Sequence, residues 1–163
     1  MAREGQPSGR TMQQADPRRM LVVTGAGHRV GVPLANVRET MRPLPIEPLR
    51  DAPPFALGLA VIRGVSVPVV DLGALLGRVG PALGFSRFVT LAVGERLVAL
   101  AVDRVETVAT VDGSELAAMP PLLAQAAGGV VEAVGLHDAA LLLVLQASRI
   151  LPDGSVLQGE VTP

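Results

Sequence analysis

The chain has 163 residues, 49% of them apolar, and its 14 basic residues, all arginine, against 15 acidic ones leave a formal charge of −1. That is enough for one domain or two small packed halves, too apolar for disorder, and without a net field for nucleic acid or an anionic membrane. The absence of cysteine excludes a disulfide framework or a thiolate metal site, and three phenylalanines without Trp or Tyr cannot build a stacking platform for single-stranded nucleic acid.

In chain order, residues 1–18 are polar and aperiodic and read as a tail with no signal-peptide core. From Met20, MLVVTGAGHRVGVPL reads as strand, turn, strand, with Gly25 and Gly27 free to take positive φ in the turn GAGHR. LANVRET is a helical turn or a bend into the next strand. Five prolines between Arg42 and Phe55 forbid a long helix and favour an extended loop. GLAVIRGVSVPVVDLGALLG, Gly58–Gly77, follows as two apolar strands about an Arg63–Gly64 turn, then one helical turn ended by Gly77. Pro68 has no N–H, so its strand is expected at an edge or bulged. No segment reaches the ~18 consecutive apolar residues of a membrane helix, so a cytoplasmic protein is expected.

At Phe88 the pattern restarts. FVTLAVGERLVALAVDRVETV repeats the strand, Gly-turn and strand of MLVVTGAGHRVGVPLANVRET, with Gly27 and Gly94 67 positions apart. VPVVDLGALL at 67–76 and LLVLQASRIL at 142–151 correspond at a spacing of 75, so an insertion is expected around PPLLAQAAGG. The chain reads as two diverged copies of an all-β unit of about 70 residues. Short strands with Gly/Pro turns at that size argue small barrels.

No catalytic constellation emerges. His28 and His137 stand in turns without a metal-ligand pattern. No G-x-S-x-G or S-x-x-K accompanies Ser66, Ser86, Ser114 or Ser148. GAGHRVG departs from the dinucleotide-loop spacing and leads into a strand, not a helix. Asp71 and Asp103 each end an apolar run, where a carboxylate more often caps the following turn than catalyses. The expectation is a non-enzyme with no catalytic residue, cofactor or metal.

Gly58, Ile62, Arg63, Gly64, Pro68, Val69, Asp71 and Leu72 follow a fixed pattern that resembles the CheW family signature. LVVTGAGHRVGVPLANVRE, with Val37 and Glu39, resembles the family's opening hairpin, and Val102-Asp103-Arg104-Val105 its V-D-x-V piece. The likeness runs from Arg19 to about Leu151. It implies an all-β, CheW-like fold: two pseudo-symmetric, SH3-like five-stranded barrels with short helical turns. In it, 19–80 and the 133–151 region combine with 86–130 into two subdomains, and 152–163 form a flexible tail. It implies a chemotaxis adaptor joining methyl-accepting chemoreceptor coiled-coil tips to the regulatory domain of a CheA-type histidine kinase, without nucleic acid or membrane insertion. The same scaffold in another kinase system, such as pilus motility, is the alternative, with a small-molecule-binding barrel enzyme behind it.

Arg63 cannot be buried unpaired. It meets a partner, pairs internally with Glu39 or Asp71, or stands solvated on its turn; its planar fork suits a carboxylate. The resemblance places Val37, Glu39, Gly58, Arg63 and Gly64 beside a receptor-binding groove between the barrels, and Ile62 and Val65 are expected to supply its apolar lining.

Overall fold

The computed structural model describes residues 17–80, 84–126 and 128–150; residues 1–16 of the expected tail 1–18, and the expected tail 152–163, lie outside them. Strands β1 (Pro17–Gly25) and β2 (His28–Pro33) form a hairpin, and a 3-10 turn leads into β3 (Val37–Met41). The proline-rich loop precedes β4 (Ala56–Ile62), β5 (Val65–Asp71) and the one-turn helix α1 (Leu72–Leu75). Then come β6 (Arg87–Val93), β7 (Arg96–Val102) and β8 (Arg104–Asp112). The chain continues through β9 (Leu116–Ala118), α2 (Pro121–Ala126), β10 (Val131–His137) and β11 (Ala140–Leu145).

Two sheets result, ordered β8-β1-β2-β11-β10-β9 and β3-β6-β7-β5-β4. Sheet and repeat boundaries do not coincide. The first hairpin, β1–β2, lies among strands of the second repeat, and β6–β7 lies among β3, β4 and β5 of the first. Each sheet curls on its own concave side around a small cluster: Met20, Val22, Ala109, Val111, Leu142 and Val144 in the first, Ala60, Ile62, Val67, Val69 and Phe88 in the second. These are the two small barrels, the second of five strands as expected and the first of six, because β9 adds to its edge.

The other faces of the two central hairpins meet in a shared core. Leu21, Val23, Val30 and Val32 contribute from β1–β2, and Val89, Leu91, Val98 and Leu100 from β6–β7. Both faces of each hairpin are therefore buried. This explains why MLVV and VALAV read as unbroken apolar runs instead of alternating ones. Each fully buried branched side chain contributes about 1.5–3 kcal/mol, so the hairpins hold the two barrels together as well as filling them.

The repeat is visible in the packing, with a correction to its spacing. Leu21 matches Val89 and Val30 matches Val98 in the shared core, each pair 68 residues apart, not 67. The reason lies in the turns: Ala26–Gly27 closes one hairpin and Gly94–Glu95 the other, so the glycines occupy different turn positions. The spacing of 75 holds for the later strands. The register shift between Ala56 and Gly58 in β4 recurs between Val131 and Ala133 in β10. The stretch around PPLLAQAAGG forms α2, and with β9 it separates β8 from β10; the first repeat has in that place a single bridge, Glu47 with Leu59.

Three other expectations change. β1 begins at Pro17, inside the expected tail, because the long β8 pairs with it as far as Asp112 and Arg18 forms an ion pair with Glu132 at 2.6 Å. Gly25 takes no positive φ: Ala26 and Gly27 do. A Cβ at Gly25 would come within 2.7 Å of Leu72, so close packing on α1 is what that position requires. β5 is not an edge but runs between β4 and β7. Pro68 is tolerated there because it faces Leu59 at a non-hydrogen-bonded position of the hairpin, while parallel pairing to β7 starts one residue later, at Val69.

Candidate functional site: the mouth of the second barrel

At one end of the second barrel the tips of β4–β5 and β6–β7 gather beside β3. Ile62 pairs with Val65, leaving Arg63 and Gly64 as a two-residue turn with φ of 52° and 80°. Left-handed values at both positions match the twist of the hairpin, and Gly64 accepts its value without strain. The turn lifts Arg63 outward, its side chain 77% exposed.

Glu39 reaches Arg63 from β3. Val37 faces Leu91 and Glu39 faces Thr90, so Arg38 is an extra residue in the strand. This bulge re-aims the chain. Val37 packs against the shared core, whereas Glu39 turns to the mouth. Thr90, buried, fixes the bulge: its Oγ1 accepts from the Glu39 N–H at 3.1 Å, and its hydroxyl donates to the Glu39 carbonyl at 3.3 Å. The Glu39 carboxylate then accepts two bonds from Arg63, from Nε at 2.9 Å and from Nη2 at 3.1 Å. The hydrogen bonds and charge of Glu39 raise the Arg63 pKa above the ordinary arginine value.

Between these groups lies a cleft of about 410 Å³. Ile62, Val65, Val67, Ala92 and Leu97 give it apolar walls; Arg38, Glu39, Arg63, Glu95 and Arg96 supply charge. Four of the expected site residues therefore come together here: Glu39, Ile62, Arg63 and Val65. Gly64 completes the turn above them. Val37 sits one pairing position along β3, half-buried on the core side. Gly58 lies at the far end of β4, where its φ is 142° and a Cβ would collide with the Glu47 carbonyl oxygen. Its position bears on the backbone, not on the cleft.

The cleft is built from strands of one barrel, not from the seam between the two. Of the alternatives for Arg63, internal pairing and exposure hold together. Asp71 is not its partner: that carboxylate is buried, accepts from the Gly73 N–H at 3.2 Å to cap α1, and is paired with Arg78. Sequence reasoning missed Arg38, Val67, Thr90, Ala92 and the segment Gly94–Leu97. The repeated Gly94-Glu95-Arg96 turn was the available signal. It marked a hairpin, but only the pairing of β7 beside β5 brings that hairpin to the mouth. Among the described residues, no group of three His, Asp or Glu side chains gathers as a metal site, and no helix is long and apolar enough to cross a membrane.

The CheW-like domain family matches residues 19–155. Protein FrzA of Myxococcus xanthus is 32% identical over 133 residues, 74% of this chain and 81% of that protein. Chemotaxis protein CheW of Rhizobium meliloti (strain 1021) is 26% identical over 117 residues, 71% of this chain and 76% of that one. The scaffolding protein TtCheW from Thermoanaerobacter tengcongensis superimposes with a TM-score of 0.69 at 23% identity, covering 80% of this chain and 90% of its own, a likeness of fold. The chain therefore belongs to the CheW-like family, whose members are non-catalytic coupling scaffolds.

Proposed function

We propose that the protein is a cytoplasmic chemotaxis adaptor coupling chemoreceptor coiled-coil tips to the regulatory domain of a CheA-type histidine kinase. The observation that carries this reading is the cleft at the second mouth: apolar walls of Ile62, Val65 and Leu97 under an exposed, already ion-paired Arg63. A helix tip would set apolar side chains against those walls. A carboxylate or carbonyl on it would compete with Glu39 for the Arg63 fork, which fixes orientation. Because Glu39 keeps the guanidinium in place before a partner arrives, less side-chain ordering remains to be done on binding. A second surface engages the kinase, and simultaneous contacts let each weak interface hold through effective concentration.

The experiment is co-purification of the chain with the cognate kinase regulatory domain and with a receptor tip fragment. The expected result is capture of both, with Arg63→Ala losing the receptor fragment and keeping its circular dichroism. Capture of neither by the folded protein contradicts the reading. A second reading is the same scaffold in a kinase system outside chemotaxis; retention of a different kinase from that pathway, and not the chemotaxis one, would identify it.

A further inference from the structure

The 68- and 75-residue correspondences allow the two barrel mouths to be compared position by position. Leu97, on the wall of the open cleft, matches Arg29 in the first barrel, 68 residues earlier. Arg38, the bulge residue of β3, matches Glu106, the bulge residue of β8, because Val22 faces Thr107 and Val23 faces Val105. Ile62 matches His137, each the last strand residue before its two-residue turn. The rim differs as well, since Glu39 and Arg63 match Thr107 and Asp138, but these three positions set what crosses each mouth.

Their consequence is visible in the contacts. Arg29 Nη1 donates to the His137 carbonyl on β10 at 2.9 Å, and its Nε lies 3.4 Å from the Glu106 carboxylate on β8. β8 and β10 stand on opposite sides of β2 in the sheet, so this guanidinium is a strap across the mouth from within. Arg29 and Glu106 are only 20% and 24% exposed. In the second barrel the bridging cation comes instead from the rim, at Arg63, and the central position holds Leu97, leaving the cleft open.

We propose that Arg29 is a plug: a specificity-determining residue that closes the first mouth to the apolar helix tip that the second mouth receives. Resting on the docking reading above, it explains why an internally duplicated protein does not offer two equivalent receptor sites. A second receptor tip on the first mouth would engage a surface that the other partner, or nothing, should occupy.

The test grafts the plug in both directions. Leu97→Arg with Arg38→Glu places the same strap in the second mouth, where the Ile62 carbonyl stands in the place of that of His137. A crystal structure is expected to have the new guanidinium across the mouth, and a chemoreceptor tip fragment is expected to bind at least tenfold more weakly than to Arg38→Glu alone. Arg29→Leu with Glu106→Arg is expected to open a cleft in the first mouth, while the fragment keeps its affinity for the second. A first mouth still closed in that variant overturns the plug and leaves the docking reading standing. A second mouth closed in the crystal but binding the fragment as tightly as Arg38→Glu overturns the docking reading, and with it the specificity assigned to Arg29. Weakened binding with the grafted side chain turned out to solvent also overturns the plug, since the loss then has another cause.

Discussion

Arg63 and Gly58 stand five positions apart in one motif, yet they answer to different physics. Arg63 is exposed and paired; Gly58 is held where a side chain cannot go. Arg63→Ala is expected to leave the melting temperature within error, because exposed ion pairs stabilise little, and to weaken receptor-fragment binding about tenfold or more, as loss of an interface arginine does. Gly58→Ala is expected to reverse that pattern: about 2–3 kcal/mol lost in urea unfolding, from the positive φ and the Glu47 carbonyl, with normal binding by the molecules that fold. Asp71→Ala removes the cap of α1 and leaves Arg78 unpaired, which costs about 3 kcal/mol in the same assay. The raised Arg63 pKa sets a sign for pH. Its contribution is fully present below the ordinary arginine value and fades only as pH rises through the raised one, so Arg63 should impose no pH dependence on binding between about pH 6 and about pH 9. A titration within that window that disappears in Arg63→Ala would contradict this.

The elements were legible where one strand's chemistry sufficed. An Arg-Gly pair between two apolar runs reads as a turn, and the turn exposes the arginine. Five prolines read as a loop, and Asp71 before Leu72 as a cap. What one strand cannot disclose is a neighbour's register. Val37 and Glu39 alternate like residues of one face, and the bulge at Arg38 separates them. Whether Glu39 or Asp71 pairs with Arg63 is therefore decided by the position of β3 beside β6. Pro68 misled for the same reason: its tolerance depends on where β7 begins to pair, not on its own strand. Leu100→Ala, in the face of β7 that enters the shared core, is expected to cost about 2–5 kcal/mol in chemical denaturation, whereas Leu97→Ala, at the mouth, should cost less and act mainly on binding.

At the scale of the whole molecule, the exchange of hairpins makes each barrel depend on both repeats. The duplication could be read from self-similarity, but two similar units could equally fold side by side; nothing in either copy says which hairpin enters which sheet. A polypeptide ending after residue 83 and one beginning there are each expected to lack stable sheet structure by circular dichroism and to regain it on mixing. Independent folding of either half would refute the shared core as the source of stability. Docking of a helical partner under Arg63 at the second mouth is open to NMR titration of the isotope-labelled chain with a chemoreceptor tip fragment. The largest shift changes are expected at Glu39, Ile62, Arg63 and Leu97, and none at Glu39, Ile62 or Leu97 in Arg63→Ala; saturable binding that moves resonances elsewhere and leaves those four unchanged would contradict docking at this mouth.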